Sequence, residues 1–133
     1  MRKLFVLMGL MCAFCASASS SLSAGVVFDG YDFEFTCANG KYTKTDAAMA
    51  ACLTAITLAE YSVGEDVYNA YGEEALKCYI KLFKTTHLVN LKLIEKYYLN
   101  HPEKMDDTVI LAFKEEKLRV HPVPIKCRKL AVK

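Results

Sequence analysis

The sequence predicts an all-α protein: a small four- to five-helix bundle with two disulfides, preceded by a signal peptide. Three observations predict it. Apolar residues recur at helical spacing from Ala47 to Phe113, four cysteines lie beyond the first two dozen residues, and those first residues have the layout of an export signal. The chain has 133 residues, 53% of them hydrophobic and 24% charged, which leaves room for a targeting peptide and one small domain. A two-domain enzyme, a large α/β barrel and a polytopic membrane protein are excluded by that length.

The N-terminus reads first. Met1-Arg2-Lys3 is a short positive segment, and Leu4 to Ala16 is an apolar run broken only by Gly9. Ala16-Ser17-Ala18 places small residues at −3 and −1 of a cleavage after Ala18, and Ala24 is the second choice. A helix from Leu4 to Ala16 spans about 20 Å against a hydrocarbon core of ~30 Å, so a signal peptide (1–18) is favoured over an anchor. Residues 19–28 read as a flexible leader, and 29–133 as the folded domain. Export places the mature protein outside the cytosol, free of the membrane after cleavage.

From Phe28 to Cys37 the apolar residues fit two periods: Phe28, Tyr31 and Phe35 suit a helix, Phe33 and Phe35 a strand. A short helix is favoured, closing near Asn39-Gly40, where glycine supplies a left-handed residue. Thr45 or Asp46 caps a second helix, Ala47 to Val63, whose apolar face is Met49, Leu53, Ile56 and Val63 and whose stop is Gly64. Gly64 to Gly72 is predicted as a loop. Leu76, Tyr79, Ile80 and Phe83 repeat at helical spacing, with an extended stretch around Cys78 as the alternative, and Thr86 caps a helix with face Leu88, Leu91, Ile94 and Tyr98. Pro102 starts the last helix, with Met105, Val109, Ala112 and Phe113 on its face. His121-Pro122-Val123-Pro124 stops it and predicts an extended exit into Cys127.

Cys12 and Cys15 leave with the signal, so Cys37, Cys52, Cys78 and Cys127 remain. An even number in a small exported domain points to two disulfides, with three possible connectivities. Antiparallel neighbouring helices favour Cys37–Cys52 with Cys78–Cys127. No C-x-x-C pair occurs, and His87, His101 and His121 show no ligand spacing relative to the cysteines, so no metal or other cofactor is expected.

Charge is balanced in sum and divided in position. Asp29 to Glu74 holds nine acids against Lys41 and Lys44, whereas Ala75 onward holds thirteen bases and six acids. The halves attract each other or present solvated faces, or else one face steers a partner of opposite charge. The beyond-signal balance argues against nucleic-acid binding, which needs an excess of positive charge. Asp106-Asp107 and Glu115-Glu116 are adjacent pairs, which point to different sides of a helix rather than into one cleft. No phosphate loop, G-x-S-x-G or H-E-x-x-H motif occurs. The expectation is a binding protein, not an enzyme.

Gly30-Tyr31 to Cys37, the Ala-rich helix with Cys52, Leu76-Lys77-Cys78, Lys96-Tyr97-Tyr98-Leu99, His101-Pro102-Glu103 and Pro124 to Cys127 together resemble the Rap/Tai family. That family comprises exported helical immunity proteins of the bacterial type VI secretion system. The resemblance spans roughly Asp29 to Cys127 and implies a periplasmic homodimer that blocks a peptidoglycan amidase toxin by filling its Cys–His cleft. A periplasmic acid-stress chaperone and a small secreted hydrolase are the alternatives. If the resemblance holds, the predicted 64–72 loop is the expected toxin contact. Glu65, Asp66 and Glu73 would meet a basic rim there, and Tyr68 and Tyr71 would act as anchors.

Overall fold

A computed structural model describes residues 28–132, so the predicted signal peptide and residues 19–27 of the leader lie outside the described residues. Helix α1 (Gly30–Thr36) begins with a reciprocal cap: the Asp29 carboxylate accepts from Asp32 N at 3.0 Å, and the Asp32 carboxylate accepts from Asp29 N at 3.4 Å. It gives way to a 3₁₀ segment, Ala38–Thr43, in which Asn39 (φ 54°) and Gly40 (φ 76°) take the predicted left-handed conformation. Helix α2 (Asp46–Tyr71) follows, with Thr45 Oγ1 accepting from Ala48 N at 3.0 Å. Helix α3 (Glu73–Phe83) comes next, then α4 (His87–Asn100), capped by Thr86 as predicted. A 3₁₀ turn (Pro102–Lys104) leads to α5 (Val109–Val120), and α6 (Ile125–Arg128) runs into a last 3₁₀ turn, Lys129–Val132. Among the described residues there is no strand beyond one isolated bridge, Asp29 with Thr108. The all-α bundle is therefore correct, with six α-helices among the described residues in place of the expected four or five.

The main departure lies in α2. Gly64 does not stop it: the helix continues through the predicted loop to Tyr71, 26 residues in all. A helix-interior glycine costs roughly 0.5–1 kcal/mol against alanine. Burial of Val63 and Val67 on either side outweighs that cost, since a fully buried valine is worth about 1.5 kcal/mol or more. The link between α2 and α3 is then the single residue Gly72, at φ 89° and ψ 178°, a conformation open essentially to glycine alone.

The predicted face of α2 is also shifted. Met49 and Leu53 are exposed, and the buried stripe is Cys52, Ala55, Ile56, Ala59, Val63 and Val67. Small residues let α2 lie close against α5, its main neighbour, with α3 on its flank and α4 packed on α5. Ile56, Ile94, Tyr97, Val109 and Phe113 fill the centre. The last long helix starts later than predicted, because Thr108 Oγ1 accepts from Leu111 N and caps it there, leaving Met105 outside the helix. The exit differs too. The chain is non-helical from Pro122 to Pro124, but Cys127 sits in α6 rather than in an extended tail.

Both disulfides follow the favoured pairing. Cys37 at the end of α1 joins Cys52 on α2, and Cys78 on α3 joins Cys127 on α6. Loop-closure entropy assigns about 3 kcal/mol to the first and about 4 kcal/mol to the second. The start of the domain is pinned independently: Gly30 N donates to Met105 O and Val109 N donates to Phe28 O, each at 2.8 Å. Gly30 also lies so close to its neighbours that a Cβ there would stand 2.6 Å from Tyr98 Cε1 and 2.8 Å from Met105 O.

Candidate functional site

One face of α2 is buried against the bundle, and much of its outer face is left exposed. An 18-residue window of the helix has mean hydropathy 1.3, and only 28% of that window is buried. By length and composition alone the helix passes for a membrane span, as the core helix of a soluble bundle also can. On the outer face, α2 and α3 form a groove of about 710 Å³ lined by Thr57, Glu60, Tyr61, Gly64, Glu65, Tyr68, Asn69, Leu76 and Ile80. Tyr61 is 73% exposed, Tyr68 52% and Ile80 50%. Tyr61 and Tyr68 stand seven residues apart, two helical turns, and so share one face.

A second hollow of about 230 Å³ adjoins the groove, sharing Glu60, Gly64, Leu76 and Ile80 with it and reaching inward to Tyr79, Thr85, Asn90 and Lys117. A chain of hydrogen bonds forms its polar wall. Lys117 Nζ donates to Phe83 O at 3.0 Å and to Thr85 Oγ1 at 2.9 Å. Thr85 Oγ1 donates to Asn90 Oδ1 at 2.6 Å, and Asn90 Nδ2 donates to Glu60 Oε1 at 2.5 Å. His87 Nδ1 meets the same oxygen at 3.0 Å. Asn90 and Lys117 are almost wholly buried, and burial holds the Lys117 ammonium below the usual lysine range, with Glu60 opposing that shift. The relay ties α5 to the end of α3, the connection after it, α4 and α2. It fixes the groove walls; it pairs no nucleophile with a base.

The structure separates the residues predicted to bind a partner. Glu65 and Tyr68 line the groove together. Asp66 is drawn away from it to Lys114 on α5, at 2.8 Å. Tyr71 lines a different hollow, together with Asp66, Val67, Leu118, Val123 and Arg128. Glu73, in the first turn of α3, pairs with Lys77 at 2.9 Å, and that contact holds its carboxyl below the usual range. The protruding loop expected to carry four of them, with Glu73 just behind it, does not exist: α2 runs through to Tyr71. Tyr61, Glu60, Asn90 and Lys117 were not singled out from sequence, although the seven-residue step between Tyr61 and Tyr68 is visible there.

Other polar clusters serve the fold. The Tyr97 hydroxyl lies 2.8 Å from Asp107 Oδ2 and 3.0 Å from Glu115 Oε2, and donates its proton there. Arg119 pairs with the buried Glu116 through two bonds of 3.1 and 2.6 Å, which holds that carboxyl below its usual range. Among the described residues, no buried side-chain polar atom lacks a partner and no group of three or more His, Cys, Asp or Glu side chains is placed to hold a metal ion. Compared with known proteins, the chain matches no family model, no curated protein and no solved structure.

Proposed function

We propose that this protein is a periplasmic immunity protein that binds and blocks a peptidoglycan amidase effector of the type VI secretion system. The observation that carries the reading is the α2/α3 groove, where Tyr61, Tyr68 and Ile80 stand exposed on a bundle held by two disulfides. Exposed aromatic side chains beside an apolar groove suit a protein interface, because tyrosine brings large contact area with few torsions to freeze. Two disulfides fit an oxidising compartment outside the cytosol, and the sequence of the first 18 residues suits export there. The resemblance to the Rap/Tai family supplies the partner class and the homodimer.

Inhibition then needs no chemistry from this chain. Covering an amidase cleft is sufficient, and a stable cover needs on the order of 1,200–2,000 Å² of total buried surface. The contact is a helix face rather than an inserted loop. The test is to export type VI amidase effectors into the periplasm of cells with and without this protein. Survival of the protected cells, with a purified complex and loss of amidase activity in it, supports the reading. Failure to bind or protect against any of them, with rescue of aggregating clients at low pH, overturns it in favour of the chaperone. Sedimentation equilibrium of the mature form tests the homodimer.

A further inference from the structure

We infer that the α2/α3 groove receives a protein segment that is apolar but carries a lysine or arginine, and that this cation docks between Glu60 and Glu65. The inference deepens the reading of the protein as an inhibitor, on which it rests, by specifying the chemistry of the partner surface.

Charge decides the occupant. Helix α2 carries Asp46, Glu60, Glu65 and Asp66 and not one lysine or arginine. Asp66 is already neutralised by Lys114. Glu65 has no ion-pair partner among the described residues. Both hydrogen bonds to Glu60 fall on Oε1, which leaves Oε2 with no bond among the described residues, on a side chain 31% exposed to the groove. A carboxylate held rigidly by Asn90 with one oxygen free is a preorganised acceptor, and a cation reaching it gives up no search over rotamers on this side. The apolar part of the segment lies on Tyr61, Tyr68 and Ile80, and the tyrosine faces favour a nearby cation further.

The same charges argue against two other occupants. A second copy docking α2 against α2 sets acids beside acids; on the α3 wall Lys77 is already held by Glu73 and Glu74, and Lys81 lies outside the groove lining. An anionic lipid surface is repelled by the same carboxylates.

The chain contains no tryptophan, so a tryptophan in a peptide probe reports binding without background. The probes are two synthetic helical peptides of leucine, alanine and one tryptophan, one with arginines on the apolar flank and the other with glutamates in their place. The mature protein should bind the arginine peptide at least about tenfold more tightly than the glutamate peptide. Glu60→Gln and Tyr61→Ala should each weaken that binding about tenfold or more while leaving the far-UV spectrum unchanged. Equal binding of the two peptides, no binding, or binding indifferent to both variants overturns the proposal. So does a dimer that dissociates on Tyr61→Ala, or uptake onto phosphatidylglycerol vesicles that Tyr61→Ala abolishes. The two readings fail separately. An amidase complex that ignores both variants sinks the groove and spares the immunity function, whereas a groove that binds the arginine peptide in a protein that blocks no amidase does the reverse.

Discussion

Asp66 of α2 and Lys114 of α5 meet at 2.8 Å, across the contact between the acidic first half of the chain and its basic second half. The pair answers a question the sequence leaves open, whether the opposed charges of the two halves face each other or face a partner. At this contact they face each other, and one turn away Lys117 lies in the field of Glu60. On α2, Glu65 has no ion-pair partner among the described residues, and Glu60, held through Oε1, keeps Oε2 free toward the groove.

Replacing Gly64 with alanine should stabilise the protein by about 0.5–1 kcal/mol, because the residue is inside a helix and not at its end. The added methyl meets Leu76 Cδ1 at 3.8 Å, an ordinary contact. Urea titration with the slope unchanged measures it. A loss of stability would mean that the helix ends where the sequence suggested.

Gly72→Ala should act in the opposite direction, costing about 1–3 kcal/mol, since a side chain at φ 89° and ψ 178° is strained. Gly30→Ala should cost a similar amount, about 1–3 kcal/mol, for a different reason: its methyl collides with the Tyr98 ring and the Met105 carbonyl. Paired with Tyr98→Ala, the Gly30 penalty should shrink in a double-mutant cycle, and the Gly72 penalty should not.

Tyr68→Ala should leave stability within about 0.5 kcal/mol of the parent, as for other exposed sites. Tyr71→Ala should cost more, about 1–3 kcal/mol, because that ring packs against the core. Equal losses would place both rings in one environment, contrary to the structure.

Alkali should unfold the protein. Burial raises the hydroxyl pKa of Tyr79 to about 12, and those of Tyr97 and Tyr98 rise as well, chiefly through burial and then through neighbouring Asp107, with Glu115 adding to the effect at Tyr97. A pKa raised by folding gives stability that is complete below the unfolded value, 10.0, and is lost as pH climbs through the folded value. The phenolate absorbance of Tyr79, Tyr97 and Tyr98 should therefore rise together with loss of helix, above pH 10.0. Ionisation of these three with the helical spectrum intact would contradict it.

Removing the disulfides by Cys→Ala pairs should cost about 3 kcal/mol for Cys37 with Cys52 and about 4 kcal/mol for Cys78 with Cys127, following the sizes of the closed loops. Thiol counting on denatured, unreduced protein containing residues 28–132 should find none free.

Legibility in the sequence followed the kind of signal. Caps were readable where one polar side chain sits at the start of an apolar period, as at Thr45 and Thr86. Thr108 was missed because Pro102 offers an earlier start, and the two compete for one helix. The face of α2 was misplaced because Ala55 and Ala59 carry little hydrophobic weight, although their small size is what permits close packing. Gly64 misled for a related reason. A glycine signals a break locally, and only the continuing step from Val63 to Val67 shows that tertiary burial overrides it. The groove depends on which face of α2 is left over after packing, and the relay joining Lys117 to Glu60 spans three helices, so neither has a local signature.

The two covalent rings, 37–52 and 78–127, neither overlap nor nest. Cysteines of the domain thus pair in their order along the chain, first with second and third with fourth. For a polypeptide delivered N-terminus first, the earlier ring can close before the later cysteines emerge, and pairing in order of arrival is already the native pairing. Such vectorial oxidation needs no thiol–disulfide reshuffling, the slow step for proteins whose cysteines must wait for distant partners.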